Sequence, residues 1–227
     1  MLKFSKTNSK MNKLADMVNL KKSQVFSFDL PAGWTCPMAD ICLSKADKIT
    51  GKITDGKNSK FRCYAASIES AFTSARQSHW HNFDLLKNKS VESMTALLLE
   101  SLPSTAKIVR IHSSGDFFNP KYFQAWVNVA IARPDVIFFG YTKILNYVQF
   151  SKPVNFKLVY SMGGKMDAQV TVEPVSYVVN TVQDAIERGL EVSCLDHPAD
   201  DYNFVMAQKS FALALHGTQP KGGAKQL

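Results

Sequence analysis

The sequence predicts an α/β protein built as an incomplete (β/α) barrel of about six mostly parallel strands. Short apolar segments alternate along the chain with segments whose apolar residues recur every three or four positions, as strands and helices do. The 227 residues, of which 45% are hydrophobic and 20% charged, suffice for one core. We expect a basic N-terminal arm at 1–23, a single α/β domain at 24–215 containing a cysteine loop at 31–63, and a disordered tail at 216–227.

The elements follow from the local residue pattern. Alternating or continuous apolar runs predict strands, bounded by turn residues, at 24–30, 107–112, 136–141, 156–161, 169–181 (one or two strands) and 190–194. Helical spacing predicts helices at 64–86, 91–102, 119–134, 144–150 and 182–189. The helix at 119–134 has the clearest start, because Asn119 is a good N-cap and Pro120 suits the first helical position.

Polar residues follow several of the predicted strands. In parallel α/β folds the chemistry collects at the carboxyl ends of the strands, so these residues are candidates for a site. The candidate catalytic residues are His112, Asp116, Tyr141 and Lys143. The expected pocket around them includes Ser114, Gly115, Thr142 and Ser161.

The chain has four cysteines, and three of them, Cys36, Cys42 and Cys63, lie in the polar cysteine loop. Cys194 ends the last predicted strand and is expected on the same edge of the sheet, although a buried cysteine can also act as a small apolar residue. Grouped thiolates in a cysteine-poor chain point to a metal site rather than to disulfides. Zinc ligands come in close C-x2–4-C pairs, whereas five residues separate the first two cysteines here. A [4Fe–4S] cluster held by the four cysteines is therefore preferred, with zinc as the alternative.

The formal charge of +8 favours a polyanionic partner such as nucleic acid. Lysines crowd the N-terminus and the basic loop at 45–62, although the same residues can serve only as a solubilising surface. The chain shows neither a signal peptide nor a run approaching the roughly 18–20 apolar residues of a membrane span. We therefore expect a cytoplasmic protein without a membrane partner.

Three motifs carry a resemblance to a known family: LPAGWTCPMADICL…RCYAA, RIHSSGDFFNPKYFQAWVNVA and FFGYTK. Together they resemble the bacteriophage "gene product 88" family over about residues 24–195. The resemblance implies a phage protein of the host bacterial cytoplasm and supplies no established activity. The motif positions it carries over are Cys36, Cys42, Cys63, His112, Ser114, Gly115, Asp116, Tyr141, Thr142 and Lys143.

The architecture also resembles a reduced radical S-adenosylmethionine enzyme, with a cysteine-bound cluster after the first strand, but the C-x3-C-x2-C spacing of those enzymes is absent. Three functions follow as hypotheses, and whether the protein is an enzyme stays open. The first is an iron–sulfur protein that transfers electrons to an unknown redox partner, senses redox state or binds nucleic acid. The second is a radical-SAM-like enzyme that uses the strand-end residues. The third is a zinc-stabilised nucleic-acid-binding protein.

Overall fold

The computed structural model describes residues 1–6, 9–193, 197, 199–215 and 219. Within these residues the strands are β1 (Val25–Phe28), β2 (Ser44–Ala46), β3 (Ile53–Asp55), β4 (Ile108–Ile111), β5 (Ile137–Thr142), β6 (Phe156–Ser161), β7 (Val175–Val179), β8 (Val192–Ser193) and β9 (Phe211–Ala214). The α-helices are α1 (Ser9–Met17), α2 (Tyr64–Ala71), α3 (Thr73–Leu86), α4 (Val91–Ser101), α5 (Pro120–Ala132), α6 (Leu145–Gln149), α7 (Val182–Ile186) and α8 (Asp201–Ala207).

In the described part of the chain, seven strands form one sheet in the order β1-β4-β5-β6-β7-β9-β8, and every neighbouring pair is parallel. The sheet curls into an open half-barrel, which confirms the predicted fold class. The helices between β1 and β7 supply the long connections that parallel strands require. The sequence did not predict β9, which lies between β7 and β8, so that β8, the expected last strand, is the edge strand of the sheet.

Both faces of the sheet are buried, as expected where helices cover a parallel sheet on either side. Alternate strand residues point to opposite faces. One face carries Phe28 and Phe138, which pack with Trp126 of α5 in the larger apolar cluster. The other carries Val25 and Phe139 in a second cluster, which α1 and α8 cover. Helices therefore cover both faces of the open half-barrel.

The N-terminal segment differs from the expected polar arm. Met11 and Leu14 of α1 are buried in the second cluster, and Leu2 is buried in the first. Lys10 forms an ion pair with the buried Asp201, with Nζ and Oδ2 2.9 Å apart. The sequence of α1 looks polar because Lys10 and Lys13 interrupt an apolar stripe that is only a few residues long. The apolar residues of this segment therefore pack into the core, while most of its lysines stay exposed.

The cysteine loop contains an antiparallel hairpin, formed by β2 and β3, which the sequence analysis did not predict. Each of its strands is three residues long and rich in lysine, serine and threonine, so its period-2 signal is weak. The long helix expected at 64–86 is divided into α2 and α3 at Phe72, whose φ of −118° and ψ of 101° are extended.

Within the described residues, no helix has the length and apolar character needed to cross a lipid bilayer. Cys194 lies outside the described residues, as does the expected tail at 216–227 apart from Gln219.

Candidate functional site

Three thiols line one cavity at the carboxyl ends of the strands. Cys36, Cys42 and Cys63 surround a space of about 140 Å³, which we call the thiol cavity. The other predicted site residues on its wall are His112, Ser114, Gly115, Asp116, Tyr141, Thr142, Lys143 and Ser161. The structure thus brings together the predicted residues that it describes, while Cys194 lies outside that part of the chain. In the described residues, no three His, Cys, Asp or Glu side chains are grouped closely enough to hold one metal ion.

The loop after β6 holds the segment between the first two cysteines, residues 37–41. Ala39 forms an antiparallel bridge with Gly164. The backbone N–H of Ile41 donates to the carbonyl of Gly163 over 3.2 Å. These contacts hold Cys36 and Cys42 at the two ends of a short segment that packs against the loop after β6.

Cys63 immediately precedes α2 and occupies its N-cap position. Its backbone N–H donates to Ser44 Oγ over 3.1 Å, which ties the start of α2 to the hairpin. Burial raises the pKa of the Cys63 thiol to about 11, and a neighbouring Cys42 thiolate adds to the rise. The N–H groups of Ala65 and Ala66, at the helix start, oppose it because they favour a negative sulfur.

Burial also raises the pKa of Cys36 well above its ordinary value, and the negative charge of Asp116 raises it further. The backbone N–H of Gly33 donates to Cys36 Sγ over 3.3 Å and partly offsets this rise. Burial raises the pKa of Cys42 too, but the positive charge of Lys143 opposes the shift. The three thiols are therefore neutral near pH 7 unless a cation binds among them, and binding must release protons.

Asp116 and Lys143 form the polar floor of the thiol cavity. Asp116 Oδ2 accepts the backbone N–H of Lys143 at 3.0 Å, and Oδ1 accepts that of Phe117 at 2.7 Å. Burial raises the pKa of Asp116 to about 6, and these hydrogen bonds, with one from Thr142, limit the rise. The Lys143 ammonium donates to the carbonyls of Ser161 and Met162 over 2.9 and 2.6 Å. A carboxyl group and a cation thus face the same cavity from different strands.

His112 is placed as a core residue that also touches the cavity wall. Its ring packs edge-on against Phe117, and Nε2 lies 3.0 Å from the hydroxyl of Tyr122. Burial lowers its pKa to about 3, so the ring is neutral at physiological pH. Its φ of +66° is left-handed, which turns the chain away from β4. These features favour a role in shaping the strand end over proton transfer.

Tyr141 directs its hydroxyl away from the thiols, where it donates to Asp201 Oδ2 over 2.8 Å. Arg110 lies over the Tyr141 ring at 5.3 Å and pairs with Asp201 at 3.9 Å. Burial disfavours ionisation of Asp201, yet the charges of Arg110 and Lys10 outweigh it and hold the pKa of Asp201 below its usual range. Tyr141 therefore belongs to an ion cluster that joins β4, β5 and α8.

Glu69 of α2 is a site residue that the sequence analysis missed. Its Oε1 accepts the backbone N–H of Ala32 at 2.9 Å and lies 2.7 Å from Ser114 Oγ. His79 is mostly buried, and its Nδ1 lies 2.8 Å from the same oxygen. Glu69 therefore ties the cysteine loop to the loop after β4. The available signal was a glutamate one turn after Ala65 and Ala66, on the apolar face of the helix.

Gly115 allows the loop after β4 to pass close to the cysteine loop. Its φ is +88°, and a Cβ there would lie 2.6 Å from Thr35 Oγ1 and 2.9 Å from the carbonyl oxygen of Leu30. Only glycine accepts this conformation and this approach without strain. The glycine in the HSSGD motif is therefore required by the packing that builds the cavity.

A larger cavity of about 500 Å³ adjoins the thiol cavity and shares Ala65, Ser113 and Ser114 with it. The carboxyl group of Asp29 and several hydroxyl-bearing side chains, including that of Ser27, line its wall. Its volume is within the range of small-molecule sites.

A comparison with protein families decides the affiliation. The model of the family described as "Gene product 88" matches residues 2–226, almost the whole chain. The chain belongs to this bacteriophage family. It is 28% identical over 149 residues to the Gene 88 protein of Mycobacterium phage L5, covering 60% of this chain and 56% of that protein. It is equally similar to the Gene 88 protein of Mycobacterium phage D29, covering 60% of this chain and 55% of that protein.

The chain spans little more than half the length of these curated relatives of the Gene product 88 family. No solved structure matches it significantly.

Proposed function

We propose that this Gene product 88 family member binds an iron–sulfur cluster, of the [4Fe–4S] type, through the thiolates of Cys36, Cys42 and Cys63. The observation that carries the proposal is that these three cysteines line one cavity at the strand ends, although among the described residues they are not grouped closely enough for a single metal ion. They come from two separate stretches of the cysteine loop, and two ordered elements, the loop after β6 and the start of α2, hold them in place. Thiolates brought together in this way are the usual ligands of iron–sulfur clusters.

The surroundings of the cavity suit a cluster. The backbone N–H of Gly33 donates to Cys36 Sγ, and hydrogen bonds to ligand sulfurs raise the reduction potential of a cluster. The Lys143 ammonium lies close enough to favour a negative sulfur at Cys42. When bound, such a cluster supplies one-electron chemistry. The protein's own residues hold the sulfurs, limit their access to solvent and set the charge around them.

Cys194 decides between two versions of the proposal. If four cysteines hold the cluster, every iron is closed, and the protein transfers electrons or senses redox state. If three hold it, one iron is open to a small molecule, and the adjoining cavity of about 500 Å³ gives that molecule room. The second version is the enzyme alternative, in which Asp116 and Lys143 face the bound molecule.

The test is the anaerobic absorption spectrum with iron, sulfide and zinc analysis of the wild type and of variants. We expect a broad band near about 400 nm in the wild type and its loss in Cys36→Ser, Cys42→Ser and Cys63→Ser. Ser113→Ala is the matched control, because Ser113 lines the same cavity without offering a thiolate. Cys194→Ala separates the two versions: loss of the band indicates a closed cluster, and retention an open one. Zinc in place of iron would contradict the proposal.

A further inference from the structure

Two tryptophans form an aromatic surface beside the hairpin of the cysteine loop, outside the thiol cavity. The rings of Trp34 and Trp80 lie 5.7 Å apart between centroids. The indole N–H of Trp34 donates to the carbonyl of Ala46 over 2.9 Å, which fixes the ring against β2. Trp34 nevertheless stays 46% exposed. An indole that is held in place and still about half exposed offers a preformed face for another flat group.

Lysine side chains accompany both rings. Lys45 Nζ lies 4.7 Å from the centroid of Trp34, and Lys48 Nζ lies 4.7 Å from that of Trp80. Such cation–π contacts place an ammonium over one face of the aromatic ring, which leaves the opposite face of Trp34 for stacking. Lys48 also pairs with Asp84 at 2.6 Å, which further restrains it. Each ring thus carries an adjacent positive charge at a defined position.

The hairpin adds further positive charge. Residues 45–62 include six basic and two acidic residues. Both acidic residues are engaged locally: Asp47 accepts hydrogen bonds from its own turn, and Asp55 pairs with Arg62. Within the part of the chain that the structure describes, no ion pair involves three exposed lysines of this segment, which are Lys52, Lys57 and Lys60. The segment therefore presents uncompensated charge, and its residues Lys45 and Ala46 contact the exposed indole.

We propose that this surface, formed by Trp34, Trp80 and the lysines of residues 45–62, binds single-stranded nucleic acid. A base stacks on Trp34 while the lysines pair with the flanking phosphates, the combination found in proteins that bind single strands. A duplex keeps its bases stacked on one another, so it meets only the lysines. The proposal is independent of the cluster, because no residue of this surface supplies a thiolate.

The electrostatic part is tested by removing lysines from the full chain. The probe is a fluorescein-labelled oligothymidylate of about 16 nucleotides, titrated at about 50 to 200 mM salt. The hairpin variant is Lys52→Ala/Lys57→Ala/Lys60→Ala. Its control, with the same loss of charge, removes three exposed lysines elsewhere: Lys89→Ala/Lys121→Ala/Lys209→Ala. We expect the slope of log K against log salt to become shallower by about 2 in the hairpin variant and to change little in the control.

The stacking part is tested at Trp34. We expect Trp34→Ala to weaken binding by at least about fivefold without changing the salt slope, since stacking carries no net charge. Trp34→Phe keeps an aromatic face and should restore most of the affinity, which guards against a general loss of structure. A matching oligouridylate should bind within a few-fold, and a duplex of equal length more weakly.

Three results would overturn the proposal: no binding at the lowest salt concentration, equal losses in the two triple-lysine variants, or a duplex that binds as tightly as the single strand. Iron content, measured on the same preparations, should be the same in the hairpin variant as in the wild type. This separates failure of the nucleic-acid proposal from failure of the cluster proposal.

Discussion

The Nδ1 atom of His79 lies 2.8 Å from Oε1 of Glu69, whose side chain is fully buried. Burial opposes a charge on the imidazole, but the hydrogen bond to Glu69 and the charges of Asp29 and Glu69 more than offset it and raise the pKa of His79. An unfolded histidine titrates near about pH 6.5. The stability that this pair contributes is therefore complete below that pH and is lost as the pH rises through the folded pKa.

We expect His79→Gln to lower the free energy of unfolding by about 1.5–3 kcal/mol near pH 5.5, the range for hydrogen bonds to charged groups. The difference from wild type should shrink as the pH rises above about 6.5. Urea unfolding across this pH range measures it. His81→Gln, in the same helix, is the control, because its ring forms a hydrogen bond with the carbonyl of Met1 rather than with a carboxylate. A difference that grows with pH would contradict the pairing.

Gly115→Ala should be more destabilising than Gly189→Ala, although both glycines have positive φ. The left-handed conformation costs an alanine about 1–2 kcal/mol at either position. At Gly115 the new Cβ also meets Thr35 and Leu30, whereas at Gly189 it meets nothing within 4 Å. Overpacking adds about 1–3 kcal/mol at Gly115. Urea unfolding of the two variants should show that excess, and equal losses would mean that the cysteine loop does not pack there.

Asp201→Asn should lower the free energy of unfolding by about 3–5 kcal/mol, the cost of breaking a buried ion pair. The substitution leaves Arg110 and Lys10 without their buried counter-charge. Asp135→Asn is the matched control, because Asp135 is 46% exposed and surface ion pairs of this kind contribute little to stability. Chemical unfolding at pH 7 compares them. Similar losses of unfolding free energy in the two variants would show that the ion cluster around Asp201 is not buried.

Lys143→Met should slow alkylation of Cys42 by iodoacetamide in metal-free protein. The thiolate is the reactive form, and Lys143 lowers the pKa of Cys42 against the effect of burial. The methionine keeps an unbranched side chain of similar length without the charge. Cys63 is the internal control, since Lys143 is not among the groups that shift its pKa. Peptide mass spectrometry follows both rates in one sample, and parallel slowing of the two would contradict the assignment.

The sequence was informative wherever one local pattern dominated. The strand at 156–161 has the predicted bounds, and α5 begins at Pro120 after the Asn119 cap as expected. Parallel topology then explains why Cys36, Asp116 and Lys143 meet, since each follows a strand of the same sheet. Their convergence could be predicted without any knowledge of contacts.

The features that were missed depend on tertiary contacts. The FALA segment of β9 is too short and alanine-rich to indicate a strand, and it forms one by lying between β7 and β8. Met11 and Leu14 are buried because the sheet supplies an apolar surface, whereas the surrounding lysines suggest an arm. Glu69 resembles an ordinary helix glutamate until Ala32, Ser114 and His79 surround it. No local pattern encodes such partners.

The most direct test of the central claim is iron K-edge X-ray absorption on the anaerobically purified wild-type protein. We expect iron surrounded by sulfur, with additional scattering from neighbouring irons, because the thiolates of the thiol cavity hold a multinuclear cluster. Cys42→Ser should abolish that signal. Iron bound only by nitrogen and oxygen, or a protein that contains zinc or no metal, would contradict the claim that Cys36, Cys42 and Cys63 hold an iron–sulfur cluster.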